Sequence, residues 1–147
     1  MQPTKTLKNK RILYLVTQTK WGGAQKYVLE LAEHFAKKNE VHIAYGETKN
    51  IDQRFLDIAE KLNIKTIPVD SLVRDISPTK EIVALPDLVK VLSKGNYNLV
   101  HLNSSKAGLI GSLAAKMYSM NPMNLRLRVV YTAHGFVFNE PLAPRTK

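Results

Sequence analysis

Apolar positions along the 147-residue chain recur in two rhythms that alternate from one end to the other. Arg11-Ile12-Leu13-Tyr14-Leu15-Val16 is a short, nearly continuous apolar run rich in β-formers, the pattern of a strand buried on both faces. After a polar loop, Ala24, Tyr27, Val28, Leu31, Ala32 and Phe35 fall at i, i+3, i+4, i+7, i+8 and i+11, which predicts an amphipathic helix. Glu30–His34 and Glu33–Lys37 form i,i+4 pairs on its polar side. Val41 to Tyr45 predicts a second strand, stopped by Gly46. Phe55, Leu56, Ile58, Ala59 and Leu62 predict a second helix, and Ile64 to Val69 a third strand. Ser77-Pro78 reads as an N-cap followed by proline at the first helical position. The helix it opens must kink or restart at Pro86, continues its apolar face through Leu88, Val89 and Leu92, and stops at Gly95. Leu99 to Leu102 predicts a fourth strand. Ser104 or Ser105 then caps a helix whose Ala107, Gly111, Ala114 and Ala115 suit a close approach to a sheet. Arg128 to Ala133 predicts a fifth strand.

Strands alternating with helices imply a doubly wound, mostly parallel sheet with helices on both faces, a three-layer α/β/α, Rossmann-like class. The common strand order for such a half is third, second, first, fourth, fifth, and ligands bind in the crevice between the first and fourth strands. Residues 1–9 read as a flexible basic tail and 10–147 as one domain. No helix follows to cover the fifth strand, so the domain is expected to be incomplete at its C-terminus.

Composition narrows the class. A 44% apolar content excludes a disordered chain, and the absence of Cys excludes a disulfide framework or a thiolate metal cluster. No apolar run approaches the roughly 18 residues of a membrane span, and Met1 to Arg11 lacks the character of a secretory signal. The expected location is therefore the cytoplasm. The net charge of +10 is unevenly placed. Residues 1–26 carry six basic and no acidic side chains, 27–87 carry eight basic and eleven acidic, and 88–139 carry six basic and none acidic. In the expected strand order the acid-free segments flank the crevice, which favours phosphates or an anionic membrane surface as partners. A solvated basic surface is the bland alternative.

Three loops meet at that crevice. Thr17-Gln18-Thr19-Lys20-Trp21-Gly22-Gly23-Ala24 joins the first strand to the first helix, and paired glycines there allow a tight turn and a phosphate at the helix start. It matches neither the dinucleotide fingerprint nor a P-loop, and a plain tight loop explains it equally well. In His101-Leu102-Asn103-Ser104-Ser105-Lys106-Ala107-Gly108, the serines can be caps, Lys106 a solvent charge and His101 a half-buried structural histidine. In Thr132-Ala133-His134-Gly135-Phe136, a histidine at a strand end is placed to reach a ligand and can titrate near neutrality, though lone histidines are more often structural. His101 and His134 lack accompanying carboxylate or Cys ligands, so no metal is expected. No hydrolase arrangement is visible.

Taken in order, Trp21-Gly22-Gly23-Ala24-Gln25, Val100 to Gly108 and Tyr131-Thr132-Ala133-His134-Gly135-Phe136 resemble the N-terminal domain of retaining glycosyltransferases of family four. The resemblance implies two Rossmann-like domains facing across a cleft, with a sugar passed from a nucleotide-sugar to an acceptor with retained anomeric configuration. It implies a catalytic role for His134, contacts to the donor phosphate or sugar by Gly22, Gly23 and Gly135, and acceptor contacts by Trp21, His101, Asn103, Ser105 and Lys106. The donor is a substrate and no other cofactor is implied. A lipid-linked or saccharide acceptor follows, for cell-surface polysaccharide or glycolipid synthesis, with possible peripheral attachment at the inner membrane face. Relatives often carry His-x-His where this chain has His101-x-Asn103, and the C-terminal nucleotide-sugar-binding domain is not among these residues. The isolated chain is therefore expected to be inactive. The competing expectation is a non-enzymatic module binding phosphate or an anionic membrane. Nucleic acid is not expected, because no aromatic platform stands beside the basic residues.

Overall fold

A computed structural model describes residues 7–75 and 77–134. Strands β1 (Arg11–Val16), β2 (Glu40–Tyr45), β3 (Lys65–Pro68), β4 (Leu99–Leu102) and β5 (Arg128–Tyr131) alternate with helices α1 (Gly23–Ala36), α2 (Gln53–Lys61), α3 (Pro78–Gly95) and α4 (Ser105–Ser119). Every strand pair is parallel and the order is β3-β2-β1-β4-β5, the order expected from the sequence. The connection reverses direction between β1 and β4, where Tyr14 sits opposite His101 and Leu15 opposite Leu102.

The continuous apolar run of β1 is explained by its two faces. Leu13 and Leu15 pack with Leu88, Leu92, Val100 and Leu102 under α3 and α4. Ile12, Tyr14 and Val16 pack with Val28, Ala32, Ile43 and Phe55 under α1 and α2. Fully burying each such side chain contributes about 1.5–3 kcal/mol, so the central strand anchors both layers. The small residues of α4 behave as expected: a Cβ on Gly111 would meet Leu102 Cδ2 at 2.4 Å, so a larger residue would have to push the buried Leu102 side chain aside. The four residues of β5 are exposed.

Several local readings change. Asn96, not Gly95, ends α3, taking the left-handed conformation (φ 46°) while its N–H bonds Leu92 O. Gly95 is the last helical residue and is small for a different reason, since a Cβ there would lie 1.9 Å from the Tyr97 ring. Pro86 neither breaks nor restarts α3, which is one helix from Pro78 to Gly95. Its missing N–H falls on the exposed side, where water can serve the freed carbonyl. Ser77 sits at the N-cap position without a side-chain capping bond. On α1 the ion pair formed is Lys26–Glu30 at 3.8 Å, rather than either pair expected. In the segment read as a tail, Leu7 O accepts from Asn39 Nδ2 and Asn9 N–H bonds Lys38 O.

At the opposite end of the sheet from the crevice, His42 Nδ1 lies 2.7 Å from the Tyr97 hydroxyl and Nε2 lies 3.1 Å from Glu40 Oε1. Burial pushes the Tyr97 phenol up to about 12, so it remains a donor and His42 Nδ1 accepts. Burial also holds the His42 imidazole below its ordinary 6.5, with Glu40 opposing and Lys65 and Arg11 reinforcing the shift. A depressed folded value means that the stabilisation is complete above the unfolded pKa and is lost as pH falls below it. His101 and His134 shift in the same direction. Thermal melts should therefore show a midpoint that is flat above neutrality and drops as the buffer is taken to about pH 5. His42→Gln, which keeps hydrogen bonding without titrating, should remove part of that drop.

Candidate functional site

The C-terminal ends of β1, β4 and β5 converge on an open cleft of about 640 Å³. Its walls include Gln18 and Gln25 from the β1 side, Asn103, Ser104, Ser105 and Lys106 from the β4–α4 turn, and His134 beyond β5. Arg74 and Glu81 come from the segment leading into α3 and from its first turn.

A chain of hydrogen bonds fixes the two inner turns against each other. Thr17 Oγ1 bonds Ser104 Oγ, and Ser104 in turn accepts from the Ala107 N–H at 3.0 Å. Ser104 is thus the cap of α4, and Ser105 is left exposed on its first turn, facing the cleft. Gln25 donates to Gln18 O at 2.9 Å and ties the β1–α1 loop to α1. Asn103 is fully buried; its Nδ2 donates to His101 O at 2.9 Å, which leaves Oδ1 to accept from His134 Nε2 at 3.2 Å. That assignment places the proton of neutral His134 on Nε2 and leaves Nδ1 as an acceptor with no hydrogen-bond partner among the described residues. Burial holds the His134 imidazole below its ordinary value, so it is uncharged near neutrality. The ring also meets the Tyr27 ring edge-on, centroids 4.9 Å apart.

His101 is buried and does not line the cleft. Its Nε2 lies 2.7 Å from Thr132 Oγ1, and its ring packs against Tyr14 at 5.3 Å. Burial and the neighbouring His134 both lower its pKa. His101 therefore orients the strand end that carries His134, instead of touching a ligand. Asn103 orients the imidazole directly.

The remaining expected site residues divide. Lys106 reaches the cleft, but its Nζ is 3.2 Å from Glu81 Oε1 and donates to Asp75 O, so its charge is already matched. Trp21 is turned away: its ring lies under the Arg54 guanidinium at 3.9 Å, against α2, and its backbone N–H donates to Asp52 Oδ2 at 3.0 Å, which holds the loop there. Gly22 has extended backbone (φ −174°) as the N-cap of α1, and neither it nor Gly23 needs glycine's left-handed freedom. What the pair does provide is space, because a Cβ on Gly23 would meet nothing within 4 Å. The N–H groups opening α1 accordingly face an unobstructed approach, without a side-chain cap. Gly135 lies outside the described residues.

Gln18 and Gln25 stand inside the sequence motifs without an expected role, and Tyr27, Arg74 and Glu81 stand outside them. Tyr27 is hidden among the apolar positions of α1, and Arg74 belongs to a connection without a motif. Among the described residues the Arg74 guanidinium has no ion pair. No group of three or more His, Cys, Asp or Glu able to hold a metal occurs among the described residues.

The arrangement is a neutral, oriented imidazole above the openings of two helices, suited to hydroxyl and phosphate groups. Comparison with known proteins places the chain in a family. The family described as Glycosyltransferase Family 4 matches residues 21–147. An Escherichia coli UDP-Gal:alpha-D-GlcNAc-diphosphoundecaprenol alpha-1,3-galactosyltransferase is 38% identical over 76 residues, covering 52% of this chain and 18% of that protein. The capsular polysaccharide biosynthesis glycosyltransferase CapM of Staphylococcus aureus is 28% identical over 130 residues, covering 88% of this chain and 30% of that one. This chain thus spans under a third of either relative's length. The crystal structure of Anabaena HepE in complex with UDP and glucose superposes with a TM-score of 0.61 at 18% identity, covering 84% of this chain and 29% of that one, a likeness of fold.

Proposed function

The chain belongs to glycosyltransferase family 4, and on that premise we propose that it is the acceptor-side half of an enzyme transferring a sugar from a nucleotide-sugar, with retention, in cell-surface polysaccharide or glycolipid synthesis. The observation that carries the reading is the His134–Asn103 contact at the crevice between β1 and β4, which holds an uncharged imidazole with Nδ1 free for a sugar hydroxyl. The open start of α1 beside Gly23 suits the donor's phosphates, and the exposed Ser105 and Arg74 suit a polar or phosphorylated acceptor. The diphosphate-linked lipid in the E. coli relative's name makes a lipid diphosphate the first acceptor to try.

The departing nucleotide develops negative charge, and its stabilisation requires donors aimed at it from the other side of a cleft. We assign those donors to a second, nucleotide-binding half outside these residues, in keeping with the short span of the relatives covered here. The purified 147-residue chain, given UDP-sugars and a GlcNAc-diphospholipid, should show no turnover. Reading the coding frame past Lys147 should reveal the second half, and the protein so encoded should glycosylate the lipid with an α linkage. Sustained turnover by the chain alone would overturn the division of labour, and an inactive longer product would count against the enzyme reading.

A further inference from the structure

A second cavity, of about 530 Å³, lies in the angle between the edge strand β3 and α3, and it shares no lining residue with the candidate site. Two sequence periods build its walls. Lys65, Ile67 and Val69 alternate along β3 and just past its end. They fall on the sheet face that α3 covers, since Lys65 pairs with His42, and His42 with Leu13 of the α3-side core. On the helix, Asp87, Lys90, Val91 and Lys94 stand at i, i+3, i+4 and i+7, one stripe of α3. His42 and Tyr97, both buried and joined by their 2.7 Å hydrogen bond, complete the lining where the strands begin.

Charge is sorted along this cavity. Arg11 opens β1, Lys65 opens β3 and Lys94 stands in the last turn of α3, so three cations gather where the strands begin. Lys90 follows about one helical turn away. Asp87 is a further turn back and Asp70 follows the end of β3, so the carboxylates lie toward the other end. Two of the cations have structural work. Arg11 pairs with Glu40 at 2.9 Å, and Lys94 offsets the negative end of the helix. Lys65 and Lys90 have no such work, because among the described residues neither makes an ion pair. The buried His42 imidazole registers the positive field: burial lowers its pKa most, Glu40 opposes that, and Lys65 and Arg11 lower it further.

We propose that this cavity binds a small phosphorylated sugar or polyol, with its phosphate at Lys65, Lys90 and Lys94 and its hydroxyls toward Asp70 and Asp87. Ammonium groups make strong, charge-assisted bonds to phosphate oxygens, whereas ionised carboxylates repel phosphate and accept from hydroxyls. A ligand charged at one end and hydroxylated at the other satisfies both ends of the cavity, and a bare anion satisfies only one. Ile67 and Val91, partly buried against the core, offer apolar contact to the carbon frame between them. The six residues of β1, about 20 Å of extended chain, separate this end of the sheet from the crevice. The occupant is therefore neither donor nor acceptor of the proposed transfer, and its binding does not depend on that reading.

The test is titration of the 147-residue chain with ribose 5-phosphate, ribose or inorganic phosphate, followed by calorimetry and by the NMR signals of the His42 and Tyr97 rings. Ribose 5-phosphate should bind and shift both rings, inorganic phosphate should bind about tenfold more weakly, and ribose should not bind measurably. Lys65→Ala with Lys90→Ala should weaken ribose 5-phosphate binding by about tenfold or more, as expected for the loss of two charge-assisted contacts. Lys116→Ala, on α4 and outside the cavity, should bind as the parent does. The altered lysines are exposed, so unchanged melting curves should confirm that the variants fold. No binding, equal binding by the double variant, or shifts of the His134 ring in place of those of His42 and Tyr97 would overturn the proposal. Equal affinity for inorganic phosphate would overturn the assignment of a sugar to the carboxylate end.

Discussion

In the longer, two-domain enzyme proposed above, replacing His134 by alanine is expected to lower sugar transfer by about a hundredfold to a thousandfold, the usual cost of removing one preorganised polar group from a reaction centre. The fold should survive, because His134 is exposed at the cleft edge and contributes no core packing. Its orientation comes from beneath, through Asn103 Oδ1 at 3.2 Å, and that oxygen is itself set by the Asn103 amide on His101 O. Asn103 is therefore a positioning residue with a signature of its own. Asn103→Asp would put a carboxylate beside the imidazole, favouring the protonated ring and removing the Nδ1 lone pair. The acid limb of the pH–rate profile should move to higher pH in this variant, while transfer recovers as the buffer is made more alkaline. A loss of rate equal at every pH would mean that Asn103 merely supports the fold.

The architecture was legible because it is written in local patterns. A strand buried on both faces cannot alternate, and Arg11–Val16 does not; an amphipathic helix must, and Ala24–Phe35 does. The strand order followed from the commonest arrangement of such alternating halves, with its reversal between the first and fourth strands. The site was legible as far as its loops, since the C-terminal ends of β1, β4 and β5 had to converge. The partners of its side chains were not. Lys106 is neutralised by Glu81, 25 positions earlier in the sequence, and Trp21 is drawn to Arg54 on α2. Such long-range pairings depend on how helices pack, which no local pattern records. His101 was one of a symmetrical-looking pair with His134, yet the sheet buries the first and presents the second. Gly95 and Asn96 illustrate a finer ambiguity. Either can end a helix; Asn96 takes the left-handed turn, while Gly95 leaves room for the Tyr97 ring.

Gly46→Ala is expected to cost about 3 kcal/mol or more, a large share of the roughly 5–15 kcal/mol that holds a domain of this kind together. From the sequence Gly46 is only the stop of the second strand. In the fold it is a wedge between two pieces of main chain: an added Cβ would lie 1.9 Å from Leu72 O and 2.6 Å from Thr17 O. Neither is the tip of a side chain that can swing aside. The Gly46 N–H bonds Val16 O at 3.1 Å and the Glu47 N–H bonds Leu72 O at 2.9 Å, so the glycine cannot retreat without breaking the end of the sheet. Thr17 is also the residue that bonds Ser104, which caps α4 at the cleft. Displacing it should therefore loosen the site as well as the fold. Gly23→Ala makes the opposite case. A Cβ there meets nothing, and alanine replaces glycine at the start of α1, so urea unfolding should show stability unchanged or raised by up to about 1 kcal/mol. The methyl group would nonetheless occupy the approach to the helix N–H groups, and nucleotide-sugar use by the enzyme should fall. A glycine kept for the fold and a glycine kept for the ligand are separated by that pair of measurements. If Gly46→Ala unfolds at the parent's urea midpoint, the close main-chain packing at the end of β2 is not as described.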